Sequence, residues 1–197
     1  ITKTLSNAIK AGKISHAYLL TGPKGVGKTS VARILAHVVN DLEYDANSSN
    51  SYIDIIEIDA ASNRRIDEIR DLREKVQIAP TSAKYKVYII DEVHMLTREA
   101  FNALLKTLEE PPAHAIFILA TTELHKLPET IISRTQHFNF KPISNDDLIK
   151  HLKAISKKEK IDIDDKALEV IANYGRGSFR DSISLLDQLS TSESKIT

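Results

Sequence analysis

The sequence predicts an α/β fold, a five-stranded parallel sheet flanked by helices, followed by a small three-helix domain. Short apolar runs bounded by turn residues alternate with stretches of helical spacing, which is the pattern of a parallel sheet. After Pro142 the strand-like runs stop and only helical segments follow. We therefore expect an α/β domain over residues 1–142 and a three-helix domain over residues 143–197.

Five apolar runs are strand candidates, because each is short and apolar on both faces, as buried parallel strands are. They cover residues 17–20, 53–58, 87–90, 116–120 and 137–140. Helical spacing between these runs predicts helices over residues 29–39, 63–76, 98–108 and 129–133. Two prolines, Pro111 and Pro112, end the third of these helices.

The three-helix domain is predicted from the segments that follow the last strand. Its helices are expected over residues 145–158, 164–174 and 178–189. Asp164 and Asp165 place acidic groups where a helix N-terminus favours them, and Gly175 and Gly177 separate the second helix from the third.

Composition narrows the classes of function. Hydrophobic residues make up 42% and charged residues 27% of the chain, as in ordinary globular proteins. The apolar runs are too short to cross a bilayer, and no signal peptide is visible, so we expect a cytoplasmic protein. The chain lacks cysteine, which excludes disulfides and thiolate ligands. A formal net charge of zero argues against a strongly basic nucleic-acid binder.

A phosphate-binding pattern, G-x-x-x-x-G-K-[ST], occupies residues 22–29, directly after the first strand and before the first helix. Backbone N–H groups of such a loop point at a polyphosphate, and the helix adds its positive dipole end. In this pattern Lys28 reaches the β and γ phosphates of ATP, and the Thr29 hydroxyl ligates Mg²⁺. The nucleotide-binding candidates are Gly22, Pro23, Lys24, Gly25, Val26, Gly27, Lys28, Thr29 and Ser30. The alternative is a glycine-rich turn with a solvated lysine.

Two carboxylates, Asp91 and Glu92, end the third strand, which is a Walker B pattern. Asp91 is placed to hold Mg²⁺ through the water shell of the ion, and Glu92 to orient or deprotonate the attacking water. Alone, the pattern also fits a strand end capped by solvated acids, but its pairing with the phosphate loop favours an ATPase. The letters DEVH at residues 91–94 also match the DExH box of some helicases. Two helicase lobes do not fit in 197 residues, which argues against a helicase. His94 is therefore interpreted as a packing or hydrogen-bonding residue.

Several longer motifs resemble the gamma/tau clamp-loader subunits of bacterial DNA polymerase III. They are EIDAASN (57–63), DEVHML (91–96), FNALLKTLEEPP (101–112), FILATTE (117–123), and GSFRDS (177–182) with LLDQ (185–188). The resemblance implies a P-loop ATPase of the AAA+ type, whose three-helix domain is the lid. It also implies that ATP drives loading of the sliding clamp onto primed DNA, together with other loader subunits of the holoenzyme.

Three further site residues follow from this resemblance. Thr122 is similar to the sensor-1 residue that reads the γ-phosphate. Arg134, within Ser133-Arg134-Thr135, resembles the arginine that reaches a neighbouring subunit's ATP in trans. Arg180 resembles the sensor-2 arginine of the lid. With Lys28 and Glu92, these residues complete the expected catalytic set.

The chain departs from the family pattern in three places. The family carries a four-cysteine zinc module where this sequence has the cysteine-free segment 40–51, so we expect no zinc. Thr135 replaces the cysteine of the Ser-Arg-Cys motif. The chain begins with Ile1, and we expect the family's N-terminal segment to be missing.

Two rival functions remain open at this point. One is a helicase-like translocase, and the other is a catalytically silent ATP-binding scaffold. The intact set of Lys28, Thr29, Asp91 and Glu92 disfavours the scaffold. A basic helix from Asn63 is a possible DNA contact, although its acidic neighbours favour ordinary ion pairing along a solvated helix.

Overall fold

The computed structural model describes residues 5, 8, 11–45, 52–62, 72, 74–192 and 196. The chain divides into two compact units. The first, here called the sheet unit, comprises residues 1–21 and 28–139, and the second, the helical unit, comprises residues 22–27 and 140–197. We keep the limits 1–142 and 143–197 as our proposal for the two domains.

The sheet unit contains five parallel strands, as predicted. They are β1 (Ala17–Thr21), β2 (Ile55–Asp59), β3 (Lys86–Asp91), β4 (Ala115–Thr121) and β5 (Gln136–Asn139). Their order across the sheet is β2-β3-β4-β1-β5. Strands β1 and β4 are buried along their whole length, and β3 is buried up to its last residue. The two edge strands include exposed residues.

Helices of the sheet unit follow the predicted positions closely. Within the described ranges they include α1 (Lys28–Val38), α2 (Arg98–Glu109) and α3 (Glu129–Ile132), with 3₁₀ turns at Val93–Met95 and Leu124–Lys126. Helix α2 begins where Thr97 Oγ1 accepts a hydrogen bond from the Ala100 backbone N–H. Of the predicted helix 63–76, residues 63–71 and 73 lie outside the described residues, and so does most of its basic cluster.

The core of the sheet unit is built from the inward faces of the strands and the helices that cover them. Aliphatic residues such as Leu104 and Leu119 pack with two aromatic rings, Tyr88 and Phe117, whose centroids are 5.5 Å apart. This packing fixes the central strands, and therefore the strand ends that carry the predicted site. Across the described part of the chain, no helix is long and apolar enough to cross a membrane.

The helical unit contains the three predicted helices around a core of its own. They are α4 (Asn145–Glu159), α5 (Asp165–Gly175) and α6 (Phe179–Ser192). Ser144 and Asp164 cap α4 and α5 by accepting hydrogen bonds from backbone N–H groups. Gly175 is the last residue of α5, and Gly177 lies between α5 and α6, as predicted. A Cβ at Gly175 would lie 1.8 Å from Ser182 Oγ on α6. The glycine therefore permits close packing of the two helices.

Asp54 organises the loop that leads into β3. Its buried carboxylate accepts hydrogen bonds from the backbone N–H groups of Thr81, Ser82 and Ala83, at 2.7 to 3.0 Å. Burial raises the pKa of this carboxyl, but the three N–H groups outweigh it, so the pKa lies below its ordinary value. Asp54 therefore stabilises the fold while it is ionised.

Replacing Asp54 with alanine is expected to lower the free energy of unfolding by about 2–4 kcal/mol at neutral pH, because three N–H groups lose a charged acceptor. Because the folded-state pKa is depressed, the contribution is complete above about pH 4 and is lost as the pH falls through that lower value. Urea unfolding at several pH values measures both effects. The exposed Asp41→Asn variant is the control, and a difference from wild type that does not shrink in acid would contradict the assignment.

Candidate functional site

The phosphate loop, residues 22–27, requires glycine at two closely packed positions. Gly22 has φ +140°, and a Cβ there would lie 2.3 Å from the Phe140 carbonyl oxygen. Gly25 has φ +76°, and its Cβ would lie 2.0 Å from Ser178 Oγ. The Phe179 backbone N–H donates to the Gly25 carbonyl at 2.9 Å. A side chain at Gly22 or Gly25 would therefore clash with Phe140 or Ser178, and only glycine fits at these two positions.

The other predicted nucleotide-binding residues lie in this loop and in the first turn of α1. Val26 is buried, whereas Lys24 and Ser30 are exposed. Lys28 begins α1, and only 6% of its surface is exposed. A lysine is rarely so buried unless its ammonium group has polar partners. The position of Lys28 at a helix N-terminus is the one that the motif predicts.

Thr29 and Asp91 are brought together from α1 and the end of β3. The Thr29 hydroxyl donates to Asp91 Oδ2 at 2.6 Å. A hydroxyl that donates its hydrogen keeps its lone pairs for a metal ion, and the carboxylate that accepts it can bind the waters of a hydrated Mg²⁺. The pair therefore fits the predicted magnesium site. Within the described ranges, no group of three or more His, Cys, Asp or Glu side chains could hold a metal ion.

Glu92 has an unusual backbone conformation. Its φ of 46° and ψ of 44° lie in the left-handed region, which costs a residue with a side chain about 1–3 kcal/mol. The turn is stabilised by the Glu92 backbone N–H, which donates to Asp91 Oδ1 at 2.8 Å. The two carboxylates have different partners: Asp91 Oδ2 accepts a hydrogen bond from Thr29, and Glu92 Oε2 accepts one from Thr122.

Thr122 lies beside Glu92 because β3 and β4 are neighbours, with Ile90 opposite Leu119. The Thr122 hydroxyl donates to Glu92 Oε2 at 3.1 Å, and its backbone N–H lies 3.4 Å from the same oxygen. The side chain of Glu92 is 31% exposed and so remains accessible to water. The predicted sensor residue therefore contacts the predicted water-activating carboxylate directly.

His94 is a hydrogen-bonding residue, as predicted. Its side chain is 7% exposed and lies between the ends of β3 and β4. Nδ1 is 2.9 Å from Thr121 Oγ1, and Nε2 is 3.1 Å from Glu123 Oε2. Sequence reasoning missed Thr121 and Glu123, although both belong to the recognised FILATTE motif.

Arg134 lies just after α3, at the surface of the sheet unit. One nitrogen, Nη1, donates to the Thr130 carbonyl at 2.9 Å, and the other, Nη2, is 3.0 Å from Glu109 Oε1. The side chain of Arg134 is 36% exposed. Its predicted role in trans is therefore accompanied by an ion pair within its own chain, which the sequence did not indicate.

Arg180 occupies the first turn of α6 in the helical unit and is exposed. It follows Phe179, whose backbone N–H contacts the phosphate loop. The role of Arg180 as sensor 2 stays a prediction. Its neighbour in the sequence links this helix to the loop that the motif assigns to phosphate.

Comparison with known proteins identifies the two parts of the chain separately. Residues 1–144 match the family model described as DNA polymerase III, delta subunit. Residues 147–190 match the model described as DNA polymerase III clamp loader subunit, ATPase lid domain. The resemblance seen in the motifs is therefore found along both segments.

Curated relatives match nearly the whole chain. It is 54% identical over 200 residues to the DNA polymerase III subunit tau of Bacillus subtilis, a match covering 95% of this chain and 36% of the relative. It is 46% identical over 200 residues to the subunit gamma of Buchnera aphidicola, covering 95% of this chain and 55% of that protein. The chain thus spans between about a third and about half of these relatives.

A solved structure, the RuvB Holliday junction branch migration motor of Thermotoga maritima, has a similar fold, with a TM-score of 0.74 and 24% identity. The match covers all of this chain and 64% of RuvB. The AAA+ fold predicted from the motifs is confirmed by this similarity and by the lid match. The chain belongs to the DNA polymerase III clamp-loader family, in which its relatives are the gamma and tau subunits.

Proposed function

We propose that the chain is an ATP-binding and ATP-hydrolysing subunit of the DNA polymerase III clamp loader. In this role ATP binding prepares the loader to open the ring-shaped sliding clamp, and hydrolysis releases the clamp on primed DNA. The main support is the cluster of Thr29, Asp91, Glu92 and Thr122 in the sheet unit. The names of the gamma and tau relatives support the replicative setting.

Each residue of the cluster has a chemical role in this proposal. The phosphate loop and Lys28 bind the phosphates of ATP. Thr29, and Asp91 through bound water, would hold Mg²⁺, which would supply positive charge to the phosphates. Glu92 orients the attacking water and accepts its proton, and Thr122 links the position of Glu92 to the γ-phosphate.

The remaining roles concern assembly and location. Arg134 acts on the ATP of a neighbouring subunit, and Arg180 serves as the sensor-2 residue of the lid. The partners are other clamp-loader subunits, the sliding clamp and primed DNA, in the cytoplasm. Because the chain lacks cysteine, we also propose that the protein binds no zinc.

Replacing Lys28 with alanine is expected to abolish measurable ATP binding. The ammonium group supplies charge-assisted hydrogen bonds to two phosphates, and the loss of about 1.5–3 kcal/mol for each of the two weakens affinity about 10²- to 10⁴-fold. Calorimetric titration of the protein with ATP and Mg²⁺ measures the effect. The exposed Lys13→Ala variant has the same change in charge and should bind ATP like wild type.

The outcome bears directly on the phosphate loop. Wild-type affinity in Lys28→Ala would remove the ATP-binding proposal, because no other lysine of the motif begins the helix. Reduced affinity in both variants would point instead to a general effect of net charge.

A further inference from the structure

His94 has contacts on both ring nitrogens, and the mechanism above assigns it no role. We propose that His94 is a positioning residue for Glu92, acting through Thr121 and Thr122 at the end of β4. The inference rests on the proposed ATPase function of the same site. It adds a residue outside the nucleotide-binding and metal-binding candidates that determines where the water-activating carboxylate lies.

The partners of His94 determine which ring nitrogen donates. A carboxylate accepts hydrogen bonds only, so Nε2, at 3.1 Å from Glu123 Oε2, carries the hydrogen on this side. Thr121 Oγ1 already accepts from the Glu123 backbone N–H at 3.0 Å. Its own hydrogen is therefore available to Nδ1 of His94, at 2.9 Å. The His94 ring thus joins the side chains of Thr121, the last residue of β4, and Glu123 in one hydrogen-bonded network.

This network is protected from water. Thr121 is fully buried, and the side chain of His94 is 7% exposed, so water cannot readily replace either partner. Lys126 pairs with Glu123 from the outside and holds its carboxylate against the ring. The position of Thr121 is consequently determined by side chains as well as by the strand.

Thr122 transmits this position to Glu92. It follows Thr121 directly, and its hydroxyl donates to Glu92 Oε2 at 3.1 Å. The same carboxylate oxygen lies 3.4 Å from His94 Nδ1, where a nitrogen that accepts from Thr121 offers it no hydrogen. Thr122 therefore holds the Glu92 carboxylate by a hydrogen bond, and the neighbouring imidazole of His94 restricts how far that carboxylate can move.

Loss of the His94 network should lower kcat while leaving ATP affinity unchanged. His94 contacts Thr121, Glu92 and Glu123, and a small displacement of a catalytic group such as Glu92 can cost about 10²-fold in rate. Substitutions can separate the two ring nitrogens, because the asparagine amide occupies the place of Nδ1 and the glutamine amide that of Nε2. The Nδ1 contact with Thr121 is the one that the proposal requires.

The experiment measures ATP hydrolysis in the assembled, DNA-stimulated clamp loader carrying His94→Asn, His94→Gln or His94→Phe in the full-length protein. We expect His94→Asn to retain kcat within about threefold, and His94→Gln and His94→Phe to lose about tenfold or more. KM for ATP should stay unchanged in all three. His125→Asn, an exposed histidine on the neighbouring 3₁₀ turn, is the matched control and should behave as wild type.

Unchanged kcat in His94→Phe, or equal losses in His94→Asn and His94→Phe, would overturn the inference. A loss of kcat that is proportional to the fall in melting temperature across the variants would also overturn it, because that correlation would indicate a purely structural role for His94. Glu92→Gln is measured in parallel. If Glu92→Gln still hydrolyses ATP at the wild-type rate, the proposed function fails, and the positioning role fails with it. If Glu92→Gln is inactive but all three His94 variants keep the wild-type kcat, the positioning role alone fails.

Discussion

In the assembled loader, Arg134→Ala is expected to reduce clamp- and DNA-stimulated ATP hydrolysis by about 10³-fold or more, the typical effect of an arginine supplied in trans. The reason is electrostatic, because Lys28 and Mg²⁺ leave charge on the transferring phosphoryl group incompletely neutralised. ATP affinity at the mutated subunit's own Lys28 should remain nearly unchanged. The isolated protein should hydrolyse ATP slowly with or without the substitution.

The control for this substitution must also remove an arginine from an exposed ion pair. Arg33 meets this requirement, since it pairs with Glu57 at 2.7 Å on the same unit. Arg33→Ala should leave stimulated hydrolysis intact. Weaker ATP binding by the Arg134→Ala monomer, or full stimulated turnover in the complex, would show that Arg134 is a structural or DNA-facing charge.

A mixing experiment tests the shared geometry. Subunits with Lys28→Ala cannot bind ATP but keep Arg134, whereas subunits with Arg134→Ala keep the phosphate loop. Combined in one assembly, they can form interfaces with one intact loop and one intact arginine. Hydrolysis by the mixture but not by either variant alone would support a site completed across the subunit boundary.

The Glu92→Gln variant should bind ATP like wild type but hydrolyse it about 10²–10⁴-fold more slowly, the usual contribution of general acid–base catalysis. The amide oxygen still accepts a hydrogen bond from Thr122, and the substitution leaves in place the backbone hydrogen bond from Glu92 to Asp91 that stabilises the turn after β3. The amide no longer takes a proton from water. Single-turnover hydrolysis and a binding titration on the same preparation separate the two effects.

An exposed glutamate provides the comparison for this substitution. Glu43→Gln makes the same chemical change at an exposed residue outside the predicted site and should retain full turnover. Unaltered hydrolysis in Glu92→Gln would refute the role of this carboxylate. Loss of ATP affinity would instead place Glu92 among the groups that hold the phosphates.

Local sequence patterns predicted the sheet well because they report burial. Residues 116–120 are apolar on both faces, and the observed strand β4 adds one residue at each end. The first predicted residue of β2, Ile53, is 71% exposed, and the strand begins at Ile55 instead. The run of apolar letters there did not distinguish a solvent-facing isoleucine from a strand residue.

The contacts that organise the site were less predictable, because they join residues distant in sequence. The motifs identified Thr29 and Asp91 as site residues, but they did not predict the hydrogen bond of 2.6 Å between the two side chains. Nothing local links Glu109 to Arg134, since the pair depends on how α2 and α3 pack. The left-handed backbone of Glu92 is likewise a consequence of the hydrogen bond to Asp91, which no propensity reports.

The hydrogen bond from the Phe179 backbone N–H to the Gly25 carbonyl couples the position of the phosphate loop to the start of α6. Gly25 lacks a side chain that could act as a flexible spacer, and the Ser178 hydroxymethyl group lies against the loop. A loop that changes shape must therefore pull or turn the first turn of α6 with it. Arg180, one residue further on, would swing with that turn, so a small displacement of the loop backbone becomes a larger displacement at the tip of a long side chain.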